Sequence, residues 1–537
     1  MFFGFSHVAM QKRVLITETI DDVCIQILRK NNFLVDISLH PSPQQLNTFL
    51  ASGYHGLIVR SATKVTAEQI AHAQGLEIIG RAGAGVDTID VPAATAKGIV
   101  VCNTPFVNSI SVAELVFSFM LAHARSIPLY DAAVKRGEWP KGKFRGKEEL
   151  YGKILGIIGL GNIGKEVAAR AEAFGMHICY VDPYNHPPQY KQMPDLPSLF
   201  READIVTVHT PGLPETKGMI TLELLMSMKK KALFINTARA QVVAPRALEE
   251  ALQQRPDLLV ALDVHDEEKP GEKMLAQFGE RVLLTPHIGA TTHAAQYRAA
   301  LQIAEQFVDF FRSGKMKYAV NLPSLPDDLY PFLELSEKMA KLGTILLEEK
   351  PKAIEYTCYG SLDQYAKILE RAMIIGVLRS ISDISVTHVN APLCAQQFGL
   401  QLVKRQPDTR KRYGDAITID VIATERMSIR GRLNEDNEPR IVRINNFYQK
   451  ADIIPSGQKA IMIYENKQGV VSVVGSICEK YNINIEHLDI TPDKAYQVMA
   501  LAVLETNPPL AAQHITEIQK SLGKKGIIMS KAKLVDF

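Results

Sequence analysis

Ile154-Leu155-Gly156-Ile157-Ile158 runs directly into Gly159-Leu160-Gly161-Asn162-Ile163-Gly164, and a stretch of alanines and charged residues follows. A short apolar run closing on three glycines at this spacing reads as a strand, a tight turn and a helix start. The first glycine permits the turn, the second lets backbone approach a pyrophosphate, and the third lets the helix pack on the strand. Asp182, 18 residues beyond Gly164, ends the next strand. Its carboxylate can accept hydrogen bonds from an adenosine ribose, and a phosphate on that hydroxyl would set negative charge beside it, so NAD is preferred over NADP. The alternative is a turn of purely structural use. Strand before, helix after and acid at the next strand end together favour the dinucleotide.

Outward from this turn the alternation is regular. Six apolar strand candidates lie at 154–158, 177–181, 205–208, 233–235, 259–262 and 282–284. Their mostly non-alternating composition suits a parallel sheet covered by helices on both faces. Long helical stretches flank the unit. One begins at Ser111 or just before it, where Ser111 and Glu114 have capping-box spacing. The other, 292–312, ends at Ser313 and Gly314, where a glycine can take the left-handed stop. Upstream, short apolar strands at 13–16, 56–59, 76–79 and 99–102 alternate with helical stretches. The pattern predicts a nucleotide domain inserted into an outer domain that the chain leaves and re-enters. A proline-rich passage at 321–331 then punctuates the chain, and 332–455 mixes helical and strand-like stretches with a charged segment at 405–412 but no motif tied to chemistry. From Lys459 onward the order βαββαβ is readable, an antiparallel sheet with helices on one face.

The 537 residues, 46% hydrophobic and 22% charged, exclude a disordered tail, a small disulfide scaffold and a single compact domain. About two to four domains are expected. A net charge of +3 is too small at this length to mark a nucleic-acid footprint. The six cysteines, at 24, 102, 179, 358, 394 and 478, form no Cys-x-x-Cys unit and no zinc knuckle, which fits a reducing compartment and no metal site. The apolar first ten residues lack a basic start and a cleavage signature, and no apolar run is long enough to span a membrane. A soluble, cytoplasmic protein is expected.

Candidate chemistry gathers where strands end. Asn236-Thr237-Ala238-Arg239, Glu268 and His287 all follow strands of the nucleotide unit, and parallel strands bring such ends to one crevice. Arg239 can make a paired, charge-assisted bond with a carboxylate or 2-oxo acid. His287 can remove a hydroxyl proton as hydride leaves for nicotinamide, and Glu268, with Glu267 as its rival, can orient that imidazole. The plain alternatives are a helix-end salt bridge for Arg239, a strand-capping histidine and a surface pair of glutamates. Cofactor contacts are expected from Gly159, Gly161, Asn162, Ile163, Gly164, Asp182, Pro183, His209, Thr210, Pro211, Thr237, Ala238, Asp263 and Gly289. His209 serves equally well as a strand cap. In the outer domain Arg60, Ser61, Lys64, Arg81 and Asn108, with turn amides at 82–85, suit a small, doubly anionic substrate, a solvated charged rim being the other reading.

The segments 57–64 (Leu-Ile-Val-Arg-Ser-Ala-Thr-Lys) and 80–87 (Gly-Arg-Ala-Gly-Ala-Gly-Val-Asp), 103–105 with 108–114, the glycine turn, Asp182, Arg239, Glu268 and 286–290 resemble the D-isomer-specific 2-hydroxyacid dehydrogenases. Within that family the likeness is greatest to the branch oxidising 3-phosphoglycerate. It covers about residues 12 to 320. The resemblance implies an α/β architecture, with a Rossmann-type nucleotide domain (111–294) inserted in a split flavodoxin-like substrate domain (1–110 and 295–330). An α+β intervening domain (331–455) and a βαββαβ ACT-like domain (456–537) follow. It further implies that Arg239, Glu268 and His287 are catalytic and that NAD is the cofactor. The substrate would be 3-phosphoglycerate, held by Arg60, Ser61 and Arg81 with Asn108 near its carboxylate. A dimer or tetramer is implied, with amino-acid effectors between paired ACT domains. Departures from the family pattern are Ala240-Gln241 after Arg239, Ala244-Pro245 in place of an acidic pair, Lys269 between Glu268 and Pro270, and Asn466-Lys467-Gln468-Gly469 in the effector turn. Simple assembly competes with ligand regulation for the terminal module. Related enzymes acting on hydroxypyruvate, glyoxylate or 2-oxoglutarate, and a catalytically silent NAD-sensing protein, are the alternative functions.

Overall fold

The strand before the glycine turn is apolar on both sides, so it can only lie inside a sheet covered on two faces. The computed structural model, which describes residues 11–144, 147–266, 275–323, 325–407, 414–495 and 497–537, places it there. We number the strands along the chain. β6 (Ile154–Ile158), β7 (His177–Val181), β8 (Lys191–Gln192), β9 (Ile205–Val208), β10 (Leu233–Asn236), β11 (Leu259–Leu262) and β12 (Val282–Leu284) form one parallel sheet in the order β12-β11-β10-β9-β6-β7-β8. One face packs on Phe200, Leu225 and Leu252, the other on Val116, Met120 and Val167. The order reverses between β6 and β9, and ligand crevices of open α/β sheets lie at such switch points. β8 escapes the sequence reading because it is a two-residue, exposed edge strand.

β1 (Arg13–Ile16), β2 (Leu34–Ile37), β3 (Gly56–Val59), β4 (Ile78–Arg81) and β5 (Val100–Asn103) form a second parallel sheet in the order β2-β1-β3-β4-β5, the flavodoxin-like order. The chain returns to it through helix His293–Ser313, whose Ile303 and Phe307 enter the core of this sheet. A Cβ on Gly56 or Gly80 would strike the Phe307 ring, so the missing side chains admit the helix. Thr292 caps that helix and Gly314, at φ +67°, stops it. The other crossing helix, Ser109–Arg125, starts a half-turn before the expected box. Ser111 is buried and bonds Thr292 (2.7 Å), which stitches the two crossing segments together, while Glu114 faces Arg170 (3.8 Å).

Beyond Pro326 a six-stranded sheet follows, made of β13 (Ala353–Cys358), β14 (Gln401–Lys404), β15 (Ala416–Ile422), β16 (Arg426–Leu433), β17 (Pro439–Ile444) and β18 (Phe447–Ile453) in the order β14-β13-β15-β16-β17-β18. Helices Tyr330–Leu347 and Ala366–Ile381 share its core. The charged segment 405–412 lies partly outside the described residues. The last sheet joins β19 (Gln458–Glu465), β20 (Asn484–Pro492), β21 (Met499–Asn507) and β22 (Met529–Asp536) in the antiparallel, ACT-like order β20-β21-β19-β22. One face carries its own helices, whereas Ile461, Leu501 and Val535 on the other join the preceding domain's core. All six cysteines are buried and free. Among the described residues no single helix is long and apolar enough to cross a membrane.

Candidate active site

The glycine turn is shaped by contacts that leave little room. Gly159 sits at φ +89°, and a Cβ on Gly164 would collide with the Gly159 carbonyl oxygen, so helix and strand meet backbone to backbone. Above Gly161 the space is open. Asp182 braces this turn. Its Oδ2 accepts from Leu160 N (2.7 Å), and its Oδ1 from the backbone of Tyr184 and Asn185 (both 2.7 Å). Burial alone would raise its pKa, yet the donors of Asn185, Tyr184 and Leu160 outweigh it and hold the carboxyl below the usual range. The carboxylate read as a ribose acceptor is thus also a structural tie.

A cleft of about 480 Å³ opens between the two parallel sheets. Gly161, Asn162, Ile163, His209, Thr210, Pro211, Thr237, Ala238, Arg239, Asp263, His287 and Gly289 line it from the nucleotide side, and Ala84, Gly85, Asp87, Phe106 and Asn108 from the other. Gly159, Gly164, Asp182 and Pro183 do not line it. His209 Nε2 meets Thr207 Oγ1 (3.0 Å), while its Nδ1 is buried with no hydrogen-bond partner. Burial pushes its pKa down to about 3, so the ring is neutral. Thr237 Oγ1 is buried and unpartnered as well.

Asn236 ends β10 and folds the next turn over itself, accepting from Ala238 N (3.0 Å) and donating to Arg239 O (2.9 Å). This sets the Arg239 side chain across the cleft, where Nη2 pairs with Asp87 in the turn after β4 (3.1 Å). Gln241, where the family pattern differs, donates to Gly212 O (2.9 Å) and so ties this turn to the loop after His209. His287 takes φ +55°, a left-handed backbone that a non-glycine residue holds only under constraint. Asp263 supplies the constraint. Nearly fully buried, it accepts from Thr285 Oγ1 (2.6 Å) and Ile288 N (2.7 Å) on Oδ1 and from Gly289 N (2.8 Å) on Oδ2, clamping both flanks of the histidine. Glu267 and Glu268 lie outside the described residues.

On the substrate side the cations divide. Arg60 lines a small adjoining cavity with Asn108, Gly83 and Ala84. Arg81 is held in place, donating to Arg60 O (3.1 Å) and Gly85 O (2.6 Å). Burial first, and then the positive Arg239, lower its pKa. Ser61 is exposed, with its backbone N–H on Glu18 (3.1 Å). Lys64 lines neither cavity: Thr63 and Val65 on either side are buried, which sends the lysine to solvent. The roles of Asp87 and Glu18 have no local sequence signal, since each depends on a partner brought by the fold, whereas that of Asn236 is local to the 236–239 turn.

Residues 117–289 match the family model for the D-isomer specific 2-hydroxyacid dehydrogenase NAD binding domain, and residues 328–445 that for the D-3-phosphoglycerate dehydrogenase intervening domain. Over 508 residues the chain is 35% identical to D-3-phosphoglycerate dehydrogenase of Archaeoglobus fulgidus, covering 93% of this chain and 96% of that one. The chain belongs to the D-3-phosphoglycerate dehydrogenase family. The Methanocaldococcus jannaschii member is 36% identical over 519 residues, 94% of this chain and 98% of its own. The crystal structure of NAD⁺-bound 3-phosphoglycerate dehydrogenase from Entamoeba histolytica is 31% identical, covers 59% of this chain and 100% of its own, and has a TM-score of 0.50.

Family membership makes the chain an NAD-dependent dehydrogenase. The cleft itself fits that cofactor. Open space over Gly161 admits a pyrophosphate to the backbone, and the unpartnered His209 Nδ1 and Thr237 Oγ1 are polar atoms that a bound dinucleotide can satisfy.

Proposed function

We propose that the chain oxidises 3-phosphoglycerate to 3-phosphohydroxypyruvate, the entry step of phosphorylated serine biosynthesis. NAD, when bound, supplies the hydride acceptor. Arg239 orients the substrate carboxylate, since its guanidinium already stands in the cleft against the Asp87 carboxylate, a stand-in of the same chemistry. His287 takes the hydroxyl proton on its imidazole, and Glu268 stabilises the charged ring. Arg60, on the small cavity that continues the cleft, faces the phosphate end, and Asn108, which lines both cavities, stands near the carboxylate. Asp263 keeps His287 aimed by fixing its backbone rather than its ring. The single observation that carries this reading is that Arg239 and His287, 48 residues apart, line one cavity with the glycine turn and Asn108.

The domain limits that go with this reading are 1–110 and 295–330 for substrate, 111–294 for NAD, 331–455 for the intervening domain and 456–537 for the ACT-like domain. A cytoplasmic homo-oligomer completes it, with the terminal module serving assembly ahead of amino-acid regulation because its effector turn, 466–469, departs from the family pattern. Steady-state NADH formation tests the substrate assignment. With 3-phosphoglycerate, kcat/KM is expected to exceed that with glycerate by about 10- to 100-fold, the worth of a charge-assisted bond to the phosphate. Equal values for the two, or a higher value with 2-hydroxyglutarate, would reject the phosphorylated substrate.

A further inference from the structure

Glu18 lies outside every motif of the sequence, two residues past the end of β1, where β3 runs alongside with Ile16 opposite Ile58. Its side chain is buried and takes four consecutive backbone N–H groups of the next strand-end loop. Oε1 accepts from Arg60 (2.8 Å) and Thr63 (2.9 Å), and Oε2 from Ser61 (3.1 Å) and Ala62 (3.0 Å). Burial alone would raise its pKa, but these donors outweigh it and keep the carboxyl below its ordinary value. Converging amides of this kind form a ready anion nest. Here the chain fills the nest with its own carboxylate, so the loop amides are not available to a substrate.

What the loop offers instead is Arg60, whose guanidinium is also held, Nη1 donating to the carbonyl of Thr19 (2.7 Å), next to Glu18. The carbonyl of Arg60 receives Arg81 Nε, Arg81 Nη1 reaches Gly85 O, and Gly85 lies against Arg239 and Asp87. Glu18 is the anchored end of a row of ties that leads from the sheet edge to the guanidinium at the cleft floor. We propose that Glu18 is a positioning residue for substrate binding, an internal anion that shapes the 60–63 loop so that the Arg60 side chain, and not the loop backbone, meets the phosphate. This rests on the reading of Arg60 as a phosphate contact.

The test uses the full chain with Glu18→Gln, Glu18→Asp, Arg60→Ala and the Glu18→Gln/Arg60→Ala pair. Substrate KM, kcat, NADH affinity and thermal midpoint are measured for each. Glutamine keeps the shape but sets an NH2 group against N–H donors. Glu18→Gln is expected to raise KM about tenfold or more while kcat and NADH affinity stay within about threefold, a split that loss of fold alone does not produce. Glu18→Asp, which keeps the charge one methylene short, recovers part of the change and carries the KM test if the glutamine variant does not fold. In the Arg60→Ala background Glu18→Gln shifts KM by less than about twofold, because the two act as one unit. An unmoved KM in Glu18→Gln, a KM rise just as large without Arg60, or NADH affinity falling in step with KM would each overturn the proposal. If Arg60→Ala itself leaves KM unchanged, the phosphate reading fails and takes the proposal with it. If Arg60→Ala raises KM and Glu18→Gln does not, only the proposal fails.

Discussion

The turns after β6 and β3 leave the carboxyl edges of two parallel sheets toward one cleft, yet they are built in opposite ways. After β6 the backbone is bare: glycines remove side chains, space lies open above Gly161, and His209 Nδ1 and Thr237 Oγ1 in the same wall have no hydrogen-bond partner. After β3 the backbone is closed, four amides in a row being capped by Glu18. In the function proposed above, one side meets its ligand with main chain and the other with guanidinium groups on a fixed main chain. The difference follows from the ligands. A pyrophosphate can be met by amides alone, whereas telling a phosphorylated acid from its parent needs cations at defined places.

This contrast predicts that damage on one side leaves the other intact. The largest effect is expected from His287→Ala, which lowers the rate of NADH formation by about 10²- to 10⁴-fold, the usual worth of a general base, while NADH binding by fluorescence titration stays nearly unchanged. Unaltered turnover in that variant would remove the histidine from the chemistry. Next, Arg60→Ala lowers kcat/KM for 3-phosphoglycerate by about 10- to 100-fold and erases the preference over glycerate without moving NADH affinity. Gly164→Ala does the reverse. Its Cβ is driven into the Gly159 carbonyl oxygen, overpacking worth about 1–3 kcal/mol, so NADH affinity and thermal midpoint fall together while substrate KM holds. An equal loss on the substrate side would mean that the two turns are not independent.

The smallest effect concerns pH and both halves of the chain. Burial pushes His123 and His388 down to about 4. Their unfolded counterparts, near 6.5, take up protons that the folded rings refuse. Their part of the stability is therefore complete above about pH 6.5 and is lost progressively as pH falls toward 4. His123→Gln should flatten that slope in thermal melts recorded across this range. A slope unchanged by the substitution would show that other groups carry it.

Much of the fold was legible because its signals are local. Six strands of the nucleotide sheet and the βαββαβ order after Lys459 follow from apolar runs and glycine punctuation. So does the stop at Gly314. Ser111 shows the opposite: its spacing to Glu114 fits a cap, but the fold supplies a better partner in Thr292, 181 residues away. Lys64 looked equivalent to Arg60 because period and charge alone do not show that Thr63 and Val65 turn inward. The ties that hold the site in shape were invisible, even where the sequence points to the residue, as at Asp263 and Asp87. Glu18 acts over 42 to 45 residues, Asp263 over 22 to 26 and Asp87 over 152. Such ties have no periodicity to read, since they form only when strand ends from separate crossings meet.

The most direct test of a shared cleft is a double-mutant cycle on Arg239 and His287. Single-turnover NADH formation from 3-phosphoglycerate would be followed for Arg239→Lys, His287→Gln and the pair. Residues that act on one bound substrate are coupled, so the pair is expected to lose far less than the product of the two single losses. Losses that simply multiply would mean that the guanidinium and the imidazole work apart, and would contradict their convergence on one substrate.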